Sequence, residues 1–210
     1  ARGAEGGGIG GEAGQIDDDG DHHAGGDEGL RGQPGAEQED GAQGALLAGE
    51  AAEEADQVDV IDVTQRKQIK SIRVGNRPRG IAFSPDGKTA YVAVETDSLL
   101  VAIDVTKLTV KGSLSVGTRT HGLVMHPNGQ WLFASNGGDA NVAVIDTESF
   151  TVHTKVPVGQ RPWNMAITPD GNKLYVAAGR SHALSVVDAN NFTPIVTIPV
   201  GKLPWGAAAN

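Results

Sequence analysis

RPRGIAFSPDGKTAYVAVETDSLLVAIDVTKLTVKGSLSVG, residues 77–117, carries one complete structural unit of the chain. Val, Ile, Leu, Ala and Tyr dominate its apolar runs, which are too short for helices and end in turn residues. Ile81–Ser84 reads as a strand, and Pro85-Asp86-Gly87 as a tight turn whose glycine tolerates positive φ. Ala90–Val94 returns, the loop Glu95–Ser98 reverses the chain, and Leu99–Ile103 is a third strand. Asp104 opens the next turn with a carboxylate placed to accept backbone N–H bonds, and Val110–Val116 is the fourth strand.

The unit repeats. Val-Gly pairs stand at 74–75, 116–117, 158–159 and 200–201, each 42 residues after the last. Asp62, Asp104, Asp146 and Asp188 keep that spacing, as do the turns beginning at Pro85, Pro127 and Pro169 and the rings of Tyr91, Phe133 and Tyr175. Four antiparallel strands every 40–45 residues are the signature of a β-propeller blade. The fold class is therefore all-β: a propeller of four-stranded antiparallel blades, about 3.7 of them and so a partial ring, preceded by a disordered tail.

That tail is residues 1–56. It holds 16 of the chain's 30 glycines, 15 acidic residues against 2 basic ones, and no Phe, Trp or Tyr. Such a stretch has too little apolar surface to offset the entropy of ordering its backbone. Gly6, Gly8 and Gly11 match a dinucleotide-loop spacing without the strand and helix it needs. Asp17–Asp21 fails the calcium-loop pattern, because His22 stands where glycine is required. No basic start followed by an apolar stretch marks a signal peptide. The repeats divide as a partial blade over 57–75, full blades over 76–117, 118–159 and 160–201, and the start of another over 202–210. Joining the two ends would give a blade lacking its second strand, so a piece of a larger ring is expected, with open edges and apolar faces available for self-association.

The same residues resemble a known family. The 77–117 stretch is similar to the YVTN-type β-propeller repeat, and the likeness extends over 57–210. VGQRPWNMAITPDG and VGKLPWG also resemble the β-propeller proteins associated with PQQ-dependent alcohol catabolism. The resemblance implies a bacterial, periplasmic or cell-surface setting, accessory to quinoprotein alcohol oxidation.

Strand alternation places the second-to-third loop and the inter-blade link on one face. In a propeller the first strand lines the channel, so the residue entering it stands at the channel mouth. That register gives Arg79, His121, Trp163 and Trp205, diverse side chains inside a regular frame. The loops of the same face add Glu95, Asp97, Asn136, Asp139, Arg180 and His182. Aromatic faces with cationic and carboxylate groups suit a polar or anionic ligand, or a partner's protruding loop. Trp163 and Trp205 can instead pack on neighbouring blades, and His121 can be a ligand or metal group or a hydrogen-bonded loop histidine.

No catalytic residue is assigned, because no nucleophile elbow or paired-histidine motif occurs in the repeats. The absence of cysteine excludes thiolate zinc sites and cysteine nucleophiles. No cofactor is expected, and a metal role stays open. A net charge of +4 over 57–210, with scattered basic residues, does not suit nucleic acid. Membrane insertion is not expected either. The reading is a non-catalytic binding or scaffold propeller. Its alternative is an enzyme or cofactor carrier, lactonase-like or d1-haem-like, with its site at the channel mouth.

Overall fold

Short apolar runs bounded by turn residues form strands throughout residues 47–210, the part of the chain that the computed structural model describes. Residues 1–46 of the expected 1–56 disordered tail, with their glycine and acidic motifs, lie outside the described residues. Four antiparallel sheets follow one another along the chain. The first holds β1 (Leu47–Ala52), β2 (Gln57–Asp62) and β3 (Lys67–Arg73). The second holds β4 (Pro78–Phe83), β5 (Thr89–Val94), β6 (Leu99–Asp104) and β7 (Thr109–Ser115). The third holds β8 (Thr120–Met125), β9 (Trp131–Asn136), β10 (Asn141–Asp146) and β11 (Thr151–Pro157). The fourth holds β12 (Pro162–Ile167), β13 (Lys173–Ala178), β14 (Ala183–Asp188) and β15 (Thr193–Pro199).

Turn chemistry follows the sequence. The Gly87 N–H donates to Ser84 O at 2.8 Å, and Gly87 has a φ of 68°. Asp62, Asp104, Asp146 and Asp188 accept the backbone N–H groups of Gln65, Lys107, Ser149 and Asn191 at 2.8–2.9 Å. Those bonds hold the carboxyls of Asp104, Asp146 and Asp188 below the usual aspartate range.

Three apolar seams join the four sheets. Val58, Val60 and Ile72 pack on Val92, Val101 and Ile103. Tyr91, Leu100 and Ala102 pack on Leu132, Ala134 and Ile145. Phe133, Val142 and Val144 pack on Leu174, Val176 and Val187. Both faces of the middle strands are used, so every residue of β5 is buried. β8 packs between β4 and β12, which puts the first strands together on the inside. They approach closely: a Cβ at Gly80 would stand 2.6 Å from His121 O, and one at Gly122 2.5 Å from Trp163 O. On the opposite face His126 ties two blades, its Nε2 3.0 Å from Gly171 O while its Nδ1 accepts the Asn128 N–H.

Three expectations need correction. The repeats reach back at least to Leu47 and do not start at residue 57: β1 pairs with β2 from Leu47↔Asp62 to Ala52↔Gln57. The second strand thought missing from the first blade is therefore present. Gly49 stands where Tyr91, Phe133 and Tyr175 stand in the other blades, and an Ala-, Gly- and Glu-rich strand carries little strand propensity of its own. Secondly, the first strands start at Pro78, Thr120 and Pro162, so Arg79, His121 and Trp163 lie inside them. Thirdly, Lys202–Asn210 forms no strand; Trp205 O accepts one hydrogen bond from Asn164 N at 3.2 Å.

Candidate functional site

The link into each first strand is bent at one residue with positive φ, 62° at Arg77, 55° at Arg119 and 54° at Arg161, and the stretch after β15 has the same bend, 50° at Leu203. Loop side chains hold three of these links. Arg77 N–H donates to Asp56 Oδ1 at 3.2 Å, Arg119 N–H to Ser98 Oγ at 3.3 Å, and Leu203 N–H to His182 Nδ1 at 3.1 Å. Beyond the bend, strand pairing is broken between Pro78 and Ile81, Thr120 and Leu123, and Pro162 and Met165. Arg79, His121 and Trp163 fall in those gaps, and irregularities of this kind re-aim side chains.

Glu95 is the hub. Its side chain is 5% exposed and lies near four guanidinium groups. Arg79 Nε stands 2.8 Å from Oε2, Arg77 Nε 3.6 Å from Oε2, Arg119 Nε 3.4 Å from Oε1 and Arg161 Nη2 4.0 Å from Oε1. Glu53, in the turn after β1, takes Arg77 Nε at 2.6 Å and Arg79 Nη1 at 2.7 Å. Burial by itself would raise the Glu95 carboxyl; the Arg79 hydrogen bond and the charges of Arg79 and Arg77 outweigh it and hold the group low.

His121 is 7% exposed, and neither ring nitrogen has a hydrogen-bond partner. Burial first, then the charge of Arg79, pushes its pKa down to about 4. The ring is neutral at pH 7. Trp205, 42% exposed, meets it edge-on at 5.7 Å and lies 4.3 Å from Trp163. Arg161 stands 5.9 Å from the Trp163 ring. A Cβ at Gly179 would come within 2.6 Å of Trp163 Cζ3, so the indole rests on bare backbone. Among the described residues, the cluster thus gathers four arginines and two glutamates around a neutral imidazole and two indoles.

Arg79, Glu95, His121, Trp163 and Trp205 are brought together. The other sequence candidates are placed differently. Asp97 accepts the Asn76 N–H at 2.8 Å, and Asp139 accepts the Thr118 N–H at 3.0 Å and its hydroxyl. With His182, these residues serve the links between blades. Arg180 is exposed in a 3₁₀ turn over Gly179–Ser181, and its N–H donates to Gln160 O at 3.1 Å. Sequence reasoning missed Arg77, Arg119, Arg161 and Glu53. Its available signal was the 42-residue spacing of the three arginines, and of Glu53 with Glu95.

Glu95 is saturated by arginines and His121 is a weak base at neutral pH, so neither matches a proton-transfer group poised near pH 7. Among the described residues, no group of three or more His, Asp or Glu is placed to hold a metal ion. Nor is any helix there long and apolar enough to cross a membrane.

A family model described as "Lactonase, 7-bladed beta-propeller" matches residues 54–197. No curated protein matches the chain. Among solved structures, a Kuenenia stuttgartiensis hydrazine synthase chain is similar at TM-score 0.54 and 19% identity, over 77% of this chain and 74% of that one. A functionally unknown protein from Desulfotomaculum acetoxidans DSM 771 is similar at TM-score 0.65 and 16% identity, over 75% of this chain. The chain spans 54% of the latter's length. At these identities the likeness concerns the fold.

Proposed function

The chain belongs to the lactonase family of seven-bladed β-propellers, and from that premise we propose that it is a non-catalytic binding propeller. It captures a small polar ligand, or a protein partner's protruding loop, at the mouth formed by Arg79, Glu95, His121, Trp163 and Trp205. The observation that carries this reading is His121, a buried imidazole with two unpartnered nitrogens inside an arginine-rich cluster. Buried polar groups are normally satisfied, and exceptions are characteristic of places where something else binds. The setting, outside the cytoplasm and accessory to quinoprotein alcohol oxidation, follows from the resemblance of VGQRPWNMAITPDG and VGKLPWG.

The family description favours a second reading, hydrolysis of a cyclic ester, for which Glu95 and His121 at the same mouth are the residues to test. The purified chain is incubated with simple γ- and δ-lactones and acid release is followed by pH-stat, alongside native mass spectrometry and an ultraviolet–visible spectrum. The binding reading expects no release above background, and no haem, quinone or metal. Release that disappears in Glu95→Gln and His121→Gln would replace it with the enzyme reading, and a bound chromophore with the carrier reading.

A further inference from the structure

On the reading of the mouth as a ligand site, on which this rests, we propose that the mouth takes a planar nitrogen heteroaromatic ring, which displaces the Trp205 indole and hydrogen-bonds to the His121 ring. The unmet group comes first. His121 is 7% exposed, and among the described residues neither of its ring nitrogens has a hydrogen-bond partner. A neutral imidazole carries one N–H donor and one bare nitrogen acceptor. Each costs free energy when buried alone, and a ligand that supplies a partner recovers it. Burial, and then the Arg79 charge, lower the His121 pKa to about 4, so the ring is neutral at pH 7. The partner it lacks is therefore an ordinary hydrogen-bonding atom rather than a counter-ion.

The shape of the site comes second, and Trp205 shows what it accepts. Its indole lies 4.3 Å from the Trp163 ring and meets His121 edge-on at 5.7 Å, so the mouth already seats one flat bicyclic ring against those two groups. The platform is fixed: Trp163 is buried in β12, and its indole rests on the bare backbone of Gly179. Trp205 fills the place without answering the imidazole. An indole has one N–H and no bare nitrogen acceptor, and this one makes no hydrogen bond to His121. Its own hold is slight. Trp205 is 42% exposed on a stretch without strand pairing, tied by the Leu203 N–H bond to His182 Nδ1 and by the Asn164 N–H bond to Trp205 O. A bicyclic ring with both an N–H and a bare nitrogen on its edge matches the same place and adds the missing bond. Such a ring competes with Trp205 for the Trp163 face.

Isothermal titration of the full chain at neutral pH with indazole, and separately with indene, tests this. Both are bicyclic rings of indole size; the first carries an N–H and a bare nitrogen, the second neither. Indazole should bind about tenfold tighter than indene, a comparison that needs no variant. His121→Phe should remove that preference. Trp205→Ala changes an exposed side chain outside the strands, and it should bind indazole about tenfold tighter than the wild type because the competing occupant is gone. Binding of indene as tight as that of indazole, or a preference that survives in His121→Phe, would overturn the His121 hydrogen bond and leave the mouth standing as a ligand site. Unchanged or weaker binding in Trp205→Ala would overturn the displacement. Binding of neither ring, by the wild type or by Trp205→Ala, would overturn the heteroaromatic assignment. The binding reading itself fails on a different readout, acid release from lactones.

Discussion

His121 carries the mouth's properties in one side chain. Burial and the neighbouring Arg79 charge push its pKa from 6.5 to about 4 in the folded chain. The unfolded chain therefore takes up the proton first as pH falls. The ring costs no stability above about pH 6.5, and stability drops progressively between about 6.5 and 4, by about 3 kcal/mol in all. Urea unfolding across that range should show the loss in the wild type, and His121→Gln should flatten that part of the profile. His121 was legible as a register position, because every 42nd residue from Arg79 enters a first strand. Its missing hydrogen bonds were not, since they depend on Trp205 and two arginines from other blades. Asp97, Asp139 and His182 illustrate the reverse. A loop side chain that satisfies a link amide has the same sequence appearance as one that waits for a ligand.

At the level of elements, β1 is the informative case. Its neighbour β2 presents Val58 and Val60 to the first seam, and that pairing makes a strand of residues whose own propensity is low. The repeat markers that reveal the other blades are weakest here, with Gly49 in the aromatic place. A Cβ at Gly49 would meet Ile81 Cδ1 at 3.5 Å and Val58 Cγ1 at 3.6 Å, ordinary contact distances. Gly49→Ala should therefore stabilise the chain by about 0.4–1 kcal/mol, mainly by restricting the unfolded state. A rise in the urea midpoint at constant slope is the measurement that checks it. Reading β1 as tail also hid Glu53, which shares Arg79 with Glu95 across the first two blades.

Across the whole molecule, the repeat makes one face of each blade the seat of the next, and the last blade has its seat uncovered in residues 47–210. Tyr175 and Leu184 are half-buried there, and β15 exposes Val196 (48%) and Ile198 (43%). β3, β7 and β11 carry lysines, the usual guard of an edge strand; β15 has no charged residue. The 210-residue chain should associate in a concentration-dependent way in sedimentation velocity, and Ile198→Lys should shift it toward monomer. The strand order of the second to fourth sheets could be read from the period because each repeats the same turns; the mouth could be read only in part because its contacts run between blades. The central claim is that this mouth is where the molecule binds, and ¹H–¹⁵N correlation spectra of the labelled chain titrated with indazole test it most directly. Shifts should concentrate at the Trp163 and Trp205 indoles and at the amides of 77–80, 119–122 and 161–164. Shifts confined to the outer strands or the Pro-Asp-Gly face would contradict it.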